Sequence, residues 1–299
     1  MHEFHRSWIF VPGDRQRMLE KSPELAADAV IFDLEDAVAS ERKALARERV
    51  AAAVRTHLLA DVSACYVRVN PAASGQLAAD LDAVTLDGLD GIVLAKAENA
   101  DEVMEASMRL GQLESQRGLD RGRIRIVAAL ESPKSLQRAA GIALAAPRVA
   151  ALMFGAEDYV RELGLPSGRR RQPGDLGYAR EALVVAATAA GLASIDRVWP
   201  DISDLDGLAQ DAAVGRQFGF TGKALIHPSQ VPVANEAFAP SAVDVEYARA
   251  AVEAFETAQR EGRGAIAFRG QMLDLPIVER ARHVLALAER LQPRVEDRR

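Results

Sequence analysis

The chain has 299 residues, 49% of them hydrophobic, which is enough to bury a large core in two domains or in one α/β barrel with an appendage. Its formal net charge of -6 argues against a protein that binds nucleic acid or a membrane surface. Cys65 is the single cysteine, which excludes an intramolecular disulfide and favours a buried, unreactive thiol.

The first residues of the chain argue against export. MHEFHRSWIFVPG contains too short an apolar stretch for a signal peptide, and a strand begins almost at once. No window of the sequence approaches the length and hydrophobicity of a membrane span. We therefore expect a soluble, cytoplasmic protein with no membrane and no nucleic acid among its partners.

Short apolar runs alternate with amphipathic helical stretches as far as Pro228. Several runs are nearly continuous in apolar and β-branched residues, as expected for strands that are covered on both faces. The alternation predicts an α/β fold, a (β/α)8 TIM barrel, as the catalytic domain of residues 1–232. The predicted strands are Ser7–Gly13, Ala29–Asp36, Cys65–Asn70, Gly91–Glu98, Ile124–Glu131, Ala151–Asp158, Ser194–Asp201 and Gly222–Pro228.

Helix-start signals support this alternation independently of hydrophobicity. Ser132 stands directly before a proline and predicts a helix N-cap followed by the first helical residue. Asn99 with Glu102, and Ser203 with Asp206, resemble capping boxes. The predicted strands therefore pass directly into helices.

Polar residues cluster at the carboxyl ends of the predicted strands, where barrels of this kind build their sites. Glu131 and Asp158 end two such strands, and a pair of carboxylates suits a Mg²⁺ ion that keeps open positions for a chelating 2-oxo or 2-hydroxy acid. Arg68 ends a third strand, where a guanidinium suits the carboxylate of that acid. Spacing alone is also compatible with other roles. The two acids could cap helices or form ion pairs, and Arg68 could be a buried partner of Glu35 or Asp36.

The alternation stops after Pro228, and residues 233–299 are predicted to form a helical C-terminal lid. One helix is predicted to begin at a cap formed by Ser241, and another to run from Pro276 to about Leu291. The stretch between them, GRGAIAFRGQMLD, is rich in glycine and lacks helical periodicity. We therefore expect an ordered loop between the two helices.

Seven motifs along the chain resemble, in their order, the citrate lyase β-subunit-like family of acyl-CoA lyases, which includes malyl-CoA and citramalyl-CoA lyases. The resemblance implies a Mg²⁺-dependent enzyme that cleaves a 3-hydroxyacyl-CoA thioester to acetyl-CoA and a 2-oxo acid by retro-Claisen chemistry. Two alternatives stay open: the β subunit of a citrate lyase complex that cleaves a citryl-acyl-carrier-protein thioester to oxaloacetate, and a non-catalytic ligand-binding scaffold. The motifs are SWIFVPGD, IFDLEDAV, YVRVNP, LES, FGAEDY, GFTGKALIHPSQV and GQMLDLP.

The resemblance also implies roles for individual residues. Glu131 and Asp158 are similar to the family's metal ligands, and Arg68 is similar to the clamp that holds the substrate carboxylate. Glu35 and Asp36 resemble the acids that orient the arginine and the metal-bound water.

Three further residues of the motifs receive roles. Gly155 and Ala156 are expected beside the substrate. Asp274 resembles a lid acid that acts on the site of a neighbouring subunit in a homotrimer or hexamer and protonates the thioester enolate. Without the resemblance, Asp274 is also compatible with a structural role at the start of the helix, just ahead of Pro276.

Four residues are expected to contact CoA itself. Gly13 after Pro12 allows the end of the first strand to approach a ligand closely, and Arg6 and Lys223 suit the CoA phosphates. Lys223 also suits a pairing with an acid of the barrel. The run Arg169–Arg171 is expected to be a solvated surface.

Two positions depart from the family pattern. Ala95 stands where the family usually has a proline, which leaves the role of the following Lys96 open. Arg269 stands where many members have an aspartate. Asp274 is therefore the acid that remains in this loop.

Overall fold

The computed structural model describes residues 5–60, 62–166 and 172–291. The chain forms two compact units, which divide between Phe238 and Ala239. The arginine run Arg169–Arg171 lies outside the described residues. Within the described part, no helix has both the length and the apolar composition that crossing a membrane requires.

The first unit is a closed parallel barrel of eight strands in sequential order, and the last strand pairs with the first. All eight strands expected from the sequence are present, and the predicted (β/α)8 fold is confirmed. The strands are β1 (Ser7–Pro12), β2 (Ala29–Asp33), β3 (Ala64–Val69), β4 (Gly91–Leu94), β5 (Arg125–Leu130), β6 (Val149–Phe154), β7 (Ala193–Asp196) and β8 (Gly222–Leu225).

Helices follow the strands and cover the outside of the barrel. Short 3-10 turns at Ser22–Leu25, Ser40–Arg42, Ala72–Ser74 and Pro228–Gln230 complete the connections. The α-helices of this unit are α1 (Gln16–Glu20), α2 (Lys43–Arg55), α3 (Leu77–Val84), α4 (Ala100–Gln116), α5 (Pro133–Gln137), α6 (Ala139–Ala143), α7 (Ala156–Glu162), α8 (Gly177–Ala189), α9 (Leu205–Phe218) and α10 (Val231–Ala237).

Side chains alternate along each strand between the barrel interior and the layer under the helices. Ile31 and Tyr66 belong to an interior cluster to which every strand contributes. Val30 and Val67, their neighbours in sequence, belong to the larger core between strands and helices. Because both faces of each strand are buried in this way, the strands read as continuous apolar runs.

The strands end earlier than the sequence predicts. β2 ends at Asp33 rather than at Asp36, because the carboxylate of Asp33 accepts the backbone N–H groups of Glu35 and Ala37 and so stabilises a turn. The strands expected to end at Glu98, Asp158, Asp201 and Pro228 end at Leu94, Phe154, Asp196 and Leu225.

Two of the predicted helix starts are confirmed, and one is wrong. Ser132 and Asn99 cap α5 and α4, and each side chain accepts the backbone N–H three residues further on. Ser203 does not cap α9. Asp204 does so instead, because its carboxylate accepts the N–H of Gly207 at 2.8 Å.

The second unit combines two helices with a short hairpin. Ser241 caps the first helix as expected, through a capping box. The glycine-rich stretch expected as a loop pairs as two antiparallel strands, and φ is positive at both turn residues, Arg269 and Gly270. Phe255, Leu273 and Val278 form the centre of this unit's core. The elements are α11 (Ala242–Arg260), β9 (Ile266–Phe268), β10 (Gln271–Leu273) and α12 (Leu275–Leu291).

Candidate active site

A cavity of about 340 Å³ opens at the carboxyl ends of the barrel strands. Its polar side is acidic, and within the described lining Arg68 is the one cationic side chain. The polar side contains Asp33, Asp36, Arg68, Glu131, Glu157 and Asp158, and the apolar floor contains Phe10, Val93, Ala129, Met153 and Ala224.

Arg68 is held rigidly in this cavity. Its guanidinium donates two hydrogen bonds to the carboxylate of Asp33, at 2.7 and 2.6 Å, and its Nη1 lies 3.2 Å from Glu35 Oε2. Phe10 contacts the guanidinium, with its ring centre 4.6 Å from Cζ. Burial opposes the charge of Arg68, but Asp33 and Glu35 raise its pKa above the ordinary value. The arginine is therefore a fixed cation beside the cavity, suited to bind a carboxylate.

Asp33 is the residue that the sequence analysis missed. It pairs with Arg68 in the register between β2 and β3, so the two side chains lie next to each other on the same face. The alternation of side chains along the strands could have identified this pair. Ile31 and Tyr66 face the barrel interior, and Asp33 and Arg68, two residues further along the same strands, share that face. Glu35, predicted to orient the arginine, also contacts it, whereas Asp36 pairs with Lys96.

Glu131 follows β5 directly and is buried against Gly155. An atom added as Cβ on Gly155 would lie 2.4 Å from Glu131 Cγ, so glycine is required for the two strands to accommodate the glutamate here. Burial raises the pKa of Glu131 to about 8, although the nearby charge of Arg68 opposes the rise. The backbone N–H of Lys96 donates to Glu131 Oε1 at 3.1 Å.

Asp158 lies in the first turn of α7, not at a strand end, and it lines the same cavity. Arg161 pairs with it at 2.6 Å, one helical turn further on. The ammonium of Lys96 lies 3.9 Å from the other carboxylate oxygen of Asp158. Ala156 begins α7, and both Gly155 and Ala156 line the cavity, where the substrate is expected.

Lys96 connects the acids of the site. Its ammonium donates to Glu35, forming a short ion pair, and to both oxygens of Asp36 at 3.2 Å. Burial raises the pKa of Glu35, whereas for Asp36 the hydrogen bond with Glu35 and the charge of Lys96 outweigh burial and lower the pKa. The adjacent acids therefore differ in their affinity for a proton.

The donor set fits a divalent cation. Glu131 and Asp158 both line the cavity, and the acids of the site exceed its cationic side chains in number. The buried carboxylate of Glu131, with its raised pKa, lacks full compensation by the protein. Among the described residues, this cavity included, no group of three or more His, Cys, Asp or Glu side chains is arranged to hold a metal ion, so the candidate ligands here are two carboxylates. Two carboxylates leave open positions for further oxygen ligands.

The expected phosphate contacts of Arg6 and Lys223 are corrected by the structure. Arg6 precedes β1, and Lys223 pairs with Ser7 in the register between β8 and β1, with its side chain directed away from the cavity into the layer under the helices. The backbone N–H and the guanidinium of Arg6 donate three hydrogen bonds to Asp28, each 2.8 Å long. Lys223 is fully buried and pairs with two acids of the layer between barrel and helices, as the alternative interpretation expected. Those acids are Asp196 and Asp211.

Gly13 has a packing role in the structure, and its contact with CoA stays a prediction. A Cβ atom there would lie 2.7 Å from the carbonyl oxygen of Asp33 and 2.8 Å from Val50 Cγ2. The glycine therefore allows β1 to pass closely beside β2 and α2, and it is not part of the cavity lining. Pro12, one residue earlier, does line the cavity.

Asp274 belongs to the second unit. It precedes α12, and its carboxylate accepts the N–H of Ile277 at 3.4 Å, as expected for an aspartate at a helix start. Its catalytic role stays a prediction.

Comparisons with known proteins agree with this geometry. The chain matches the HpcH/HpaI aldolase/citrate lyase family over residues 6–228. The citrate lyase subunit beta of Escherichia coli (strain K12) is 39% identical over 284 residues, which cover 95% of this chain and 93% of that protein. The mitochondrial citramalyl-CoA lyase of Rattus norvegicus is 32% identical, with 95% of this chain and 86% of that protein covered.

A solved structure extends the similarity to the fold. The protein CitE from Mycobacterium tuberculosis, in complex with magnesium, acetoacetate and coenzyme A, is 32% identical, with a TM-score of 0.78. The match covers 97% of this chain and 100% of that one. The chain therefore belongs to the HpcH/HpaI aldolase/citrate lyase family, and the predicted enzyme class, a carbon–carbon lyase, is confirmed.

Proposed function

We propose that this chain is a Mg²⁺-dependent lyase that cleaves a 3-hydroxyacyl-CoA thioester to acetyl-CoA and a 2-oxo acid. The observation that carries the proposal is the cavity in which Glu131 and Asp158 face the same space as the rigidly held guanidinium of Arg68. The complex of the similar CitE protein with magnesium, acetoacetate and coenzyme A supports it.

In this proposal Glu131 and Asp158 hold the cation, and Arg68 binds the carboxylate of the 2-hydroxy acid part of the substrate. Mg²⁺ bound there supplies Lewis-acid chemistry to the oxygen that becomes the 2-oxo group. Asp33 and Glu35 keep the guanidinium fixed, so the carbon–carbon bond that breaks is held in one orientation.

Cleavage transfers the electron pair of the broken bond to the thioester side. The substrate hydroxyl passes its proton to solvent water as the carbonyl forms, and the enolate carbon that becomes the methyl group of acetyl-CoA gains one. We assign the acid that delivers this second proton to Asp274 of the C-terminal unit. In the condensation direction the same carboxylate removes that proton.

The cavity lining supports a 2-oxo acid with one carboxylate and a small apolar substituent, as released from citramalyl-CoA or malyl-CoA. Within the described lining, Arg68 is the single cationic side chain, and the floor beside it is apolar. Oxaloacetate carries a second carboxylate, which would lie unpaired against Glu131, Asp158 or this floor. The proposal therefore prefers pyruvate or glyoxylate to oxaloacetate, although a citrate lyase beta subunit from Mycobacterium tuberculosis that is 32% identical to this chain forms a complex with oxaloacetate and magnesium.

The second candidate is the β subunit of a citrate lyase complex. The 39% identity to the Escherichia coli β subunit favours it, and its substrate would be a citryl thioester of an acyl carrier protein. Turnover by the isolated chain separates the two candidates, because the CoA lyase needs no further subunit.

The first test is a purified-protein assay with Mg²⁺ that follows acetyl-CoA release from citramalyl-CoA and malyl-CoA. Citryl-CoA and citryl-acyl-carrier protein are assayed in parallel. We expect turnover of the first two thioesters and loss of activity with a chelator. No turnover of any thioester by folded protein would reject the lyase proposal, and turnover of the citryl substrates alone would select the second candidate.

The metal assignment has its own test. Glu131→Ala removes one of the two carboxylates and should abolish Mg²⁺-dependent activity, because Asp158 alone leaves the cation too few protein ligands. Full activity of this variant would show that the cation is held elsewhere.

We also propose that the enzyme is a homo-oligomer, a trimer or hexamer, in which Asp274 of one subunit acts at the site of another. Mixing Asp274→Ala subunits with Arg68→Ala subunits tests this proposal, because mixed oligomers contain some sites with both functional residues. Recovery of activity on mixing is the expected result. Equally inactive mixtures, with subunit exchange demonstrated, would place Asp274 at the site of its own subunit.

A further inference from the structure

Lys96 contacts several acids of the site, and none of the roles assigned so far explains these contacts. It follows β4, and its ammonium reaches Glu35 and Asp36 beyond β2 and Asp158 in α7. Its backbone N–H donates to Glu131 beyond β5. One residue thereby connects the polar ends of four barrel strands, including both acids assigned to the cation.

The backbone of Lys96 is held in an unfavourable conformation. Its φ is +49°, in the left-handed region that residues with a Cβ adopt at a cost. This conformation directs its N–H at Glu131 Oε1, while the neighbouring N–H of Ala97 bonds to Ala129 across the sheet. A strained residue at this place indicates that the surrounding contacts, and the positions they impose, outweigh the cost.

The side chain contacts acids of the cavity without lining it. Lys96 is not part of the cavity lining, and its side chain is 26% exposed. Its contacts are to protein carboxylates, so it does not qualify as a group that touches the substrate. Its position is instead that of a residue that contacts the ligands of a metal ion and orients them without binding the ion itself.

We infer that Lys96 is the positioning residue of the cation site: its N–H orients Glu131, and its ammonium keeps Asp158, Glu35 and Asp36 together despite their mutual repulsion. The inference rests on the proposed function, because it takes Glu131 and Asp158 as the cation ligands. It predicts that Lys96 strengthens cation binding although it carries a positive charge itself.

The opposite expectation follows from charge alone. An ammonium 3.9 Å from Asp158 repels a divalent cation, so its removal would tighten binding if Lys96 did nothing more. The two views therefore differ in the sign of the effect, which makes them separable by one binding measurement.

The experiment is a Mn²⁺ titration in which the signal of free Mn²⁺ is followed by electron paramagnetic resonance, with wild type and Lys96→Met. We expect the dissociation constant to rise about 10- to 100-fold in Lys96→Met, the usual effect of losing an outer partner of a metal ligand. An unchanged or lower dissociation constant would overturn the inference. If wild type binds no Mn²⁺, the proposed function fails together with it.

A chemical rescue separates positioning from a general effect on folding. In Lys96→Cys, alkylation with 2-bromoethylamine forms a carbon–sulfur bond, releases bromide and restores an ammonium at nearly the length of lysine. Cys65, the single natural cysteine, does not compete, because it is buried and burial raises the pKa of its thiol to about 12. We expect the unmodified variant to bind Mn²⁺ weakly and the alkylated one to approach wild type. Absence of rescue in a folded, fully alkylated protein would also overturn the inference.

Lys134→Met is the matched control. Lys134 also follows a barrel strand, but its side chain is 59% exposed and its ammonium pairs with Glu98 at 3.5 Å, which is not one of the acids of the cavity. This variant loses one positive charge near the site, so an effect of net charge would appear here too. We expect its Mn²⁺ dissociation constant to equal that of wild type, and a rise comparable to that of Lys96→Met would contradict a specific role of Lys96.

Discussion

Glu131 and Gly155 contact each other with no room for another atom between them. Gly155 donates its N–H to the carbonyl of Leu130 at 2.9 Å, which places it beside the residue that follows Leu130. The position of a proposed metal ligand therefore depends on the absence of a methyl group at the residue that follows β6. The φ of Gly155 is -91°, so the requirement for glycine comes from space and not from backbone conformation.

Gly155→Ala should reduce activity on the order of 10²-fold, because the new methyl group displaces the Glu131 carboxylate and misplacement of about 1 Å has that effect. The measurement is kcat/KM with the thioester that wild type prefers, together with Mn²⁺ binding. Gly141→Ala is the control, since nothing lies within 4 Å of its Cβ position and the change lies in a helix. It should leave activity unchanged and stabilise the fold by about 0.5–1 kcal/mol. Wild-type activity in Gly155→Ala would show that Glu131 need not occupy its observed position.

At the scale of elements, a buried ion pair connects α4 to the strands that carry the site. Glu114 of α4 accepts two hydrogen bonds from Arg148, both 2.8 Å long, and one from the N–H of Ile124 at 3.0 Å. Arg148 precedes β6 and Ile124 precedes β5, the strands that lead to Asp158 and Glu131. The pair thus holds the amino ends of both strands against one helix.

Glu114→Gln should lower the free energy of unfolding by about 3–5 kcal/mol at pH 7, because it leaves the buried guanidinium of Arg148 without its counter-charge. Urea unfolding measures this loss. Asp82→Asn is the control, since its pair with Arg109 is exposed and should contribute at most about 1 kcal/mol. Equal effects of the two substitutions would contradict the structural role of the buried pair.

The same pair predicts a dependence on pH. Burial alone would raise the pKa of Glu114, but the hydrogen bonds from Arg148, Gly122 and Ile124 outweigh it and lower the pKa below its ordinary value of 4.5. A lowered pKa in the folded state gives stabilisation that is complete above about pH 4.5 and is lost as the pH falls through the folded value. The stability difference between wild type and Glu114→Gln should therefore shrink below that pH. A difference that is constant from pH 7 to pH 3.5 would contradict this assignment.

At the scale of the whole molecule, the chain consists of two units with separate hydrophobic cores. The barrel's two clusters contain residues up to Phe238, and the C-terminal cluster begins at Ala248. All residues assigned to the cation and to the substrate carboxylate belong to the first unit, whereas Asp274 belongs to the second. Binding and proton transfer are therefore assigned to different units.

A chain that ends at Phe238 should fold and bind Mn²⁺ with the wild-type dissociation constant, because its cores and cation ligands are complete. It should not release acetyl-CoA, because the proposed proton donor is missing. Circular dichroism, thermal melting and the Mn²⁺ titration check the first two expectations, and the thioester assay checks the third. Turnover by the truncated chain would remove Asp274 from the mechanism, and failure to fold would show that the barrel depends on the second unit.

Most of the fold was predictable because its signals are local. Buried parallel strands read as apolar runs, and caps such as Ser132 and Asn99 mark the helices that follow them. The hairpin at Arg269 was missed because its strands have three residues each, too few for a periodicity of two to emerge. The predicted strand ends are too late because the sequence does not show where the backbone leaves the strand. After β2 it does so at Asp33, whose carboxylate accepts backbone N–H groups of the following turn.

The candidate site was predictable in part. Glu131, Asp158 and Arg68 line one cavity as expected, because polar residues after apolar strands are conspicuous in a sequence and the carboxyl ends of parallel strands meet. Asp33 as the partner of Arg68, and Lys96 as the link between the acids, depend on register and on side-chain reach across strands. Arg6 and Lys223 were assigned to phosphate by residue type, although the predicted strand bounds already put both at the amino ends of strands; their carboxylate partners became evident only in the folded molecule.

The order of apolar runs, caps and motifs was sufficient for the barrel and for the family, because each of these signals lies within a few neighbouring residues of the chain. The pairing of charges required the folded molecule, because Lys96, Glu35, Glu131 and Asp158 are far apart in sequence and become neighbours when the barrel closes. The ion pairs of Lys223 with Asp196 and Asp211 likewise join residues that only the folded molecule brings together. Long-range contacts between strands therefore decide which charges meet.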